Sequence, residues 1–448
     1  MKPLPKPPTF SEALERVGTD RISAILQSGI TATPRGKYYH WEKLRHLKPP
    51  SDLSAEEWWA GVKFARMSMQ RALPLPDASG DQFTFAMVDP VQEMLHKIDQ
   101  QAAGKIAISD QITNPETRDR YIFSSLVEEA ITSSQLEGAS TTRQVAANMI
   151  RSGRRPKDKS EQMILNNYIA NRHIRTFTGR KLAPSDVLEL QKILTIDTLD
   201  DPNCAGRLQT PNEERVVVVD EASHQVLHTP PPADQLEWRL KEMCRFANGE
   251  TPKGFLHPII RAIMLHFWLA YDHPFIDGNG RTARALFYWS MISSGYWLVD
   301  YVSISTILKT AYAQYGNSYQ YAESDENDAT YFIVYQLEVL LKAIAQLEEH
   351  IENKVEQIQS LENRLRGRTY FNHRQLALLS HALRHLDSHY LIKSHQRSHG
   401  VAYGTARSDL MTLADHKLLE SRRIGGKTLV FLSPPDLDAR IEALTQSS

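Results

Sequence analysis

Residues 273–284 read HPFIDGNGRTAR and lie between two apolar segments of the 448-residue chain. Before them, apolar residues recur at helical spacing from Pro258 to Tyr271, and a proline is tolerated in the first turn of a helix. Pro274 ends that helix, because the residue before a proline avoids helical backbone angles. A second apolar segment follows and stops at Gly295, a residue typical of the position just beyond a helix end. The sequence therefore predicts a helix, a tight glycine loop and a second helix.

The loop has the features of an anion-binding site. Gly278 and Gly280 allow a ligand to approach the backbone closely, and the free N–H groups at the start of the next helix point towards that ligand. Arg281 and Arg284 are three residues apart, which places them on one helix face beside those groups. Guanidinium groups bind phosphate oxygens in pairs, so the loop is suited to a phosphate ligand.

Two further side chains of the loop add chemistry. Asp277 has the wrong charge to bind a phosphate, but it is a suitable ligand for a Mg²⁺ ion that bridges to phosphate oxygens. His273 is the one side chain in the stretch that exchanges a proton near neutral pH. A base, a metal carboxylate, backbone amides and two arginines together indicate nucleotide phosphate chemistry.

The twelve residues resemble the Fic motif, H-x-F-x-(D/E)-G-N-G-R-x-x-R, and all eight specified positions match. The resemblance implies a mostly α-helical Fic fold, a bundle with a β-hairpin flap. It also implies a protein adenylyltransferase that transfers AMP from ATP to a Ser, Thr or Tyr hydroxyl of a protein, with this chain itself among the candidate targets. His273 would be the base, Asp277 the Mg²⁺ ligand and Phe275 the buried anchor of the loop. The residues that would bind the phosphates are Gly278, Asn279, Gly280, Arg281 and Arg284, the last of them at the γ-phosphate.

A second motif precedes the loop. Apolar residues between Arg118 and Glu137 form one stripe, which predicts an amphipathic helix that ends at Gly138. The stretch SSQLEG, which starts at Ser133, resembles the inhibitory motif of Fic proteins, (S/T)-x-x-x-E-(G/N). The resemblance implies that Glu137 pairs with Arg284 and prevents the productive ATP pose. By itself the pattern is also that of an ordinary helix end with a solvated or salt-bridged glutamate.

A β-hairpin is predicted between the two motifs. Val216–Val219 and Gln225–Leu227 are apolar and flank the turn residues Asp220–His224. By resemblance, residues 212–230 form the flap that pairs with the backbone of a target segment, which is strand addition at an edge. A plain surface hairpin is the alternative. After Gly295, one helix is predicted from Ser303 to Tyr321, and its tyrosines suit either the nucleotide pocket or the core.

The C-terminal part has a different charge. From Arg364 to Ser433 there are twelve Lys and Arg against four Asp and Glu, whereas the whole chain has a formal charge of −1. Apolar residues repeat every seven positions from Leu337 to Leu365, which suits a coiled-coil-like helix or packing along its own domain. The segment after it resembles a winged helix-turn-helix, with residues 405–413 as the recognition helix and Gly425-Gly426 at the tip of the wing. The residues that would contact DNA phosphates are Arg397, Arg407, Arg422, Arg423 and Lys427.

Length and composition give the remaining expectations. A chain of this length suggests two to three domains. We place an N-terminal, mostly helical region of unassigned role at 1–115 and the Fic domain at 116–345, with the inhibitory helix at about 118–138. A linking helix follows at 346–365 and a winged-helix-like domain at 366–448. Helices are predicted near residues 10–26, 55–72 and 88–101. Two cysteines, Cys204 and Cys244, indicate a reducing compartment, and the lack of long apolar stretches predicts a cytoplasmic protein without a membrane partner.

Several functions stay open on these residues. Gly280 argues against the Doc-like kinase branch, in which a lysine stands at this position. Transfer from UTP or CDP-choline, and removal of AMP with Glu137 positioning a water molecule, use the same site. In a further alternative the chain is a DNA-binding regulator in which the Fic core is secondary. The winged helix also suits dimerisation or target docking, so a homodimer is among the open assemblies.

Overall fold

The computed structural model describes residues 4–17, 19–50, 52–103, 115–219, 226–366, 371–384, 388–424 and 428–446. The protein is mostly helical, as the sequence predicts. It divides into two compact units, one of residues 1–106 with 123–344 and the other of residues 107–122 with 345–448. The N-terminal 106 residues therefore belong to the same unit as the glycine loop, which the sequence did not indicate. No helix in the described ranges is long and apolar enough to cross a lipid bilayer.

The N-terminal part of the first unit contains five helices and one hairpin. The helices are α1 (Phe10–Val17), α2 (Thr19–Gln27), α3 (Trp41–Leu44), α4 (Ala55–Met67) and α5 (Asp89–Ile98). The antiparallel strands are β1 (Gln70–Pro76) and β2 (Gln82–Ala86). The helix predicted over residues 55–72 was too long, because Pro74 and Pro76 favour extended backbone and the buried Leu73 and Leu75 alternate as in a strand.

In the described residues from 115 to the flap there are four α-helices: α6 (Pro115–Leu136), α7 (Arg143–Ser152), α8 (Lys159–His173) and α9 (Pro184–Thr195). Helix α6 ends where the sequence predicts, since Gly138 follows with a φ of +90°. The N–H of Ala139 then donates to the carbonyl of Ser134, a bond typical of a glycine-terminated helix. This arrangement fixes Glu137 at the very end of the helix.

The flap contains the short strands β3 (Val218–Val219) and β4 (Val226–His228), which pair antiparallel as the sequence predicts. The turn predicted at residues 220–224 lies outside the described residues. Helices α10 (Leu236–Ala247), α11 (Pro258–Asp272) and α12 (Asn279–Ser293) follow. Nearly every side chain of α11 and α12 is buried, so this pair is the centre of the core.

The helix predicted over residues 303–321 is two helices, α13 (Ile304–Thr310) and α14 (Tyr312–Ser324). They are separated at Ala311, whose φ of −126° and ψ of 40° interrupt the helical backbone. Helix α15 (Thr330–Arg366) is continuous over 37 residues. Among its heptad residues Leu337, Leu340 and Ile344 are buried, so its first half packs along the first unit.

The second unit contains α16 (His373–Arg384), β5 (His389–Leu391), α17 (Ile392–His399), α18 (Tyr403–Asp415), β6 (Glu420–Ile424), β7 (Thr428–Leu432) and α19 (Leu437–Gln446). The strands form an antiparallel sheet in the order β5-β7-β6. Buried Asp409 of α18 accepts hydrogen bonds from Arg374 and Asn372 and contacts His395, which fixes the three helices together. The predicted wing tip at Gly425-Gly426 and the neighbouring Lys427 lie outside the described residues.

Candidate active site

The loop between α11 and α12 is held by its own side chains. His273 ends α11 in the left-handed conformation, with a φ of 44°, and Gly278 turns the chain into α12 with a φ of 87°. The side chain of Asn279 accepts a hydrogen bond from the N–H of Phe275 at 2.9 Å and donates to its carbonyl at 2.8 Å. Phe275 itself is fully buried, as predicted. Asn279 is buried, and its side chain is bound to the backbone of Phe275 within the loop.

The surroundings of His273 determine its charge and which ring nitrogen carries the hydrogen. Its Nδ1 lies 3.4 Å from the carbonyl oxygen of Ala270, which can only accept, so Nδ1 carries the hydrogen and Nε2 keeps its lone pair. Burial lowers the pKa of His273 to about 4, and the neighbouring His228 acts in the same direction. The imidazole is therefore neutral at pH 7 and able to take a proton.

Arg281 has a different position from the one we predicted. Its guanidinium is completely buried and donates to the carbonyl of Leu194 in α9 and to Asp277 Oδ1, both at 2.9 Å. Burial of the side chain under the loop leaves it away from the cavity. Arg281 therefore supports the loop, and the predicted contact with phosphate needs correction.

Arg284 meets the inhibitory motif. Its Nε donates to Ser133 Oγ at 2.8 Å, and its Nη2 donates to the Ser133 carbonyl at 3.0 Å and to Glu137 Oε1 at 2.8 Å. The arginine is 2 % exposed and the glutamate 30 %. The predicted pair between Arg284 and Glu137 is present, and it joins the end of α6 to the second turn of α12.

The Glu137 carboxylate also covers the first turn of α12. A methyl group added to Gly280 would come within 2.2 Å of Glu137 Oε1, so a side chain at this position would displace the carboxylate from where it lies. The start of a helix attracts anions, because its N–H groups are unpaired and the helix dipole is positive there. Glu137 thus occupies the place that the sequence assigns to a phosphate.

These groups surround one cavity of about 200 Å³. Of the predicted residues, His273, Gly280, Arg284 and Glu137 line it, whereas Asp277, Gly278, Asn279 and Arg281 lie in the loop or beneath it. Ser133 and Gly138 act on the cavity through Arg284 and the helix end. The other walls come from the flap and α14, with Val218, Leu227, His228, Tyr315, Tyr319 and Glu323.

The comparisons with known proteins agree with this geometry. Residues 181–291 match a family model described as the Fic/DOC family. The chain carries a Fic domain. A curated relative from Drosophila yakuba, named protein adenylyltransferase Fic, is 39 % identical to this chain over 69 residues. The aligned residues make up 15 % of this chain and 14 % of that relative. The relative of the same name from Nematostella vectensis is also 39 % identical over 69 residues, which make up 16 % of that relative. The match thus spans a small part of these relatives.

A solved structure shows the same fold. A Fic family protein from Desulfovibrio desulfuricans superposes with a TM-score of 0.51 over 78 % of this chain and 97 % of its own, at 17 % sequence identity. At that identity the likeness concerns the fold alone. The predicted Fic fold, mostly helical with a flap, is confirmed.

Two features of the site go beyond the residues that the motifs predict. The tyrosines of residues 303–321 suit either the pocket or the core by sequence, and the structure places Tyr315 and Tyr319 along the cavity, with their hydroxyls 3.2 Å apart. Their four-residue spacing is the signal that puts them on one helix face. His228 and Glu323 form the other feature, with Nδ1 and Oε2 2.8 Å apart. A contact across 95 residues leaves no pattern in the sequence.

Asp277 suits the Mg²⁺ that we predicted for the Fic domain. Its Oδ1 accepts hydrogen bonds from Arg281 and from the N–H of Gly278, and the side chain remains 42 % exposed, so a hydrated cation can reach it. The described residues contain no cluster of three or more His, Cys, Asp or Glu arranged to hold a metal ion. A single carboxylate is the usual protein contribution where nucleotide phosphates supply the other ligands of Mg²⁺.

Proposed function

We propose that the chain is a Mg²⁺-dependent protein adenylyltransferase that Glu137 keeps inhibited. The observation that carries the proposal is the meeting of neutral His273, the start of α12 and Arg284 around one cavity, with the Glu137 carboxylate seated on Gly280. The names of the curated relatives support the same reaction class.

In the proposed reaction, His273 Nε2 takes the proton of a protein hydroxyl as its oxygen attacks the α-phosphorus of ATP. A bond forms between that oxygen and phosphorus, the α–β phosphoanhydride bond breaks, and pyrophosphate leaves. Backbone N–H groups at the start of α12 stabilise the charge that develops on the phosphates. Asp277 would hold Mg²⁺, and the ion would supply positive charge to offset that of the nucleotide phosphates.

The flap would hold the target. Val219 and Val226 are 44 % and 56 % exposed, an unusual surface for apolar residues on a short hairpin. A target segment that pairs with this edge as an added strand would bring its hydroxyl over His273.

The test uses ATP labelled at the α-phosphate, Mg²⁺ and a cell lysate, in the Glu137→Gly background. We expect labelled protein bands, including this chain, and no labelling from γ-labelled ATP. His273→Ala should lower labelling by at least ~10²-fold, since it removes the positioned base. His257→Gln is the matched control, because His257 caps the opposite end of the same helix. Equal labelling by the His273→Ala variant would overturn the assignment.

AMP removal is distinguished by a second measurement on the same site. If Glu137 positions water for hydrolysis, a target already carrying labelled AMP loses it in the presence of the parent chain and keeps it with Glu137→Gly. If Glu137 acts as a brake on transfer, neither protein releases the label.

We also propose that the second unit binds duplex DNA. Arg397, Arg407, Arg422 and Arg423 are exposed on α17, α18 and β6, and the first residues of α18 are exposed as well. Arginines around an exposed helix start are suited to phosphates and base edges. Affinity for a selected sequence over scrambled DNA, with a steep salt dependence that weakens in Arg407→Ala, is the expected result. No binding to either DNA, or binding that Arg407→Ala leaves unchanged, would refute it.

A further inference from the structure

Two cations of the flap bind the carboxyl end of α11. His228, at the end of β4, lies with Nε2 2.7 Å from the carbonyl oxygen of Tyr271. Arg215, before β3, donates from Nη2 to the carbonyl of Asp272 at 2.7 Å. The last carbonyls of a helix have no partner inside it and carry the negative end of its dipole, so they favour cations. Both arms of the flap are therefore attached to the helix turn that ends at His273.

His228 is positively charged in this arrangement. Its Nδ1 lies 2.8 Å from Glu323 Oε2, and the partner of Nε2 is a carbonyl oxygen, so both ring nitrogens face acceptors. An imidazole donates from both nitrogens only when it is protonated. Burial lowers the pKa of His228, but the bond to Glu323 and the Glu323 charge outweigh burial and raise the pKa above its ordinary value.

The imidazolium of His228 lies beside His273. Among the described residues, the charged and titratable groups that share the cavity with His273 or act on it are His228, Arg215, Glu137, Arg284, Glu323, Tyr271, Tyr312, Tyr315 and Tyr319. The adjacent Asp272 is paired with Arg239. Burial disfavours a charge on His273, and the flap cations add repulsion in the same direction, whereas Glu137 acts against them. The state of the base thus depends on the docked flap.

We infer that His228 is a positioning residue that ties the flap to the base, because its imidazolium, held by Glu323 and the Tyr271 carbonyl, adds to burial in keeping His273 neutral. The inference rests on the proposed role of His273 as the base. It adds a residue pair, His228 with Glu323, that reaches the reaction through His273 and touches no reacting atom.

The test is an NMR titration of the full chain with ¹³C-labelled histidine from pH 8 down to about pH 3.5, with His273 assigned by its loss in His273→Ala. In the parent, the His273 resonance should stay at its neutral position down to about pH 5 and titrate at about 4. His228→Gln keeps a donor for the Tyr271 carbonyl but removes the charge, so the pKa of His273 should rise by about 0.5–1 unit. The matched control is His257→Gln, which removes another histidine–carboxylate pair, His257 with Asp99, at the far end of α11. An unchanged His273 curve in a folded His228→Gln variant overturns the inference.

Glu323→Gln tests the same idea without altering the flap. Without the carboxylate, burial is left without its main opponent and the pKa of His228 should fall below its ordinary value, whereas in the parent the pKa lies above it. A His228 that titrates at or below 6.5 in the parent contradicts the imidazolium. The titration needs no turnover, so absence of nucleotide labelling would refute the proposed function and leave this result standing.

Discussion

Replacing Glu137 with glycine should release the proposed inhibition. In the parent, Glu137 Oε1 lies 2.8 Å from Arg284 Nη2 and also covers Gly280. One carboxylate therefore binds Arg284, the proposed partner of the γ-phosphate, and covers the start of α12. The arginine is buried, and the glutamate is 30 % exposed, which makes this a charge-assisted pair in a partly water-excluded site. Such a bond is worth roughly 1.5–3 kcal/mol.

That energy sets the size of the effect. ATP must displace Glu137 before it binds productively, and each 1.4 kcal/mol corresponds to a factor of about ten, so productive binding is suppressed by about ten- to a hundredfold. Glu137→Gly should raise the initial rate of labelling from α-labelled ATP by that factor at subsaturating ATP. Glu137→Gln, which keeps the shape but loses the charge, should give an intermediate rate.

The double variant separates the brake from the clamp. Glu137→Gly combined with Arg284→Ala should stay inactive, because the γ-phosphate has lost its partner as well as its competitor. If Glu137→Gly labels no faster than the parent while its ATP affinity is also unchanged, Glu137 does not inhibit the site. The contact with Arg284 would then serve stability alone.

Three further results are expected. Ser133→Ala removes the acceptor of Arg284 Nε at 2.8 Å but leaves the hydrogen bond from Arg284 to the Ser133 carbonyl. Labelling should therefore rise only about fivefold, on the basis of roughly 1 kcal/mol per hydrogen bond. A rise equal to that of Glu137→Gly would contradict the larger contribution assigned to Glu137. Gly138 has a φ of +90°, so Gly138→Ala should lower the free energy of unfolding in urea by about 1–2 kcal/mol. Gly404→Ala is the control and should not destabilise the chain, because an added methyl group there also meets open space but Gly404 lies inside a helix. Burial lowers the pKa of His40 to about 4 and of His266 to about 3, so below pH 6.5 the unfolded chain binds protons that the folded chain does not. The free energy of unfolding should therefore fall by up to about 1.4 kcal/mol per pH unit for each histidine from pH 6.5 towards 4. A urea midpoint that is constant from pH 7.5 to 5 would contradict this.

The sequence by itself determined the local geometry of the site. The ends of α6 and α11 and the entry into α12 follow from Gly138, Pro274 and Gly278, because these residues restrict or extend the backbone angles of their own positions. The motif around His273 and the one ending at Gly138 likewise indicated that Arg284 and Glu137 would meet, and the structure shows that contact.

The tertiary structure alone decided what each polar side chain does. Arg281 and Arg284 share a helix and differ by three positions, yet one is buried against Leu194 and the other faces the cavity. The pair of His228 with Glu323, and the packing of residues 70–86 as a hairpin in the first unit, are equally non-local. Periodicity reports only the faces of one helix or strand, whereas burial and charge pairing depend on segments that are distant in the chain and meet when the core closes.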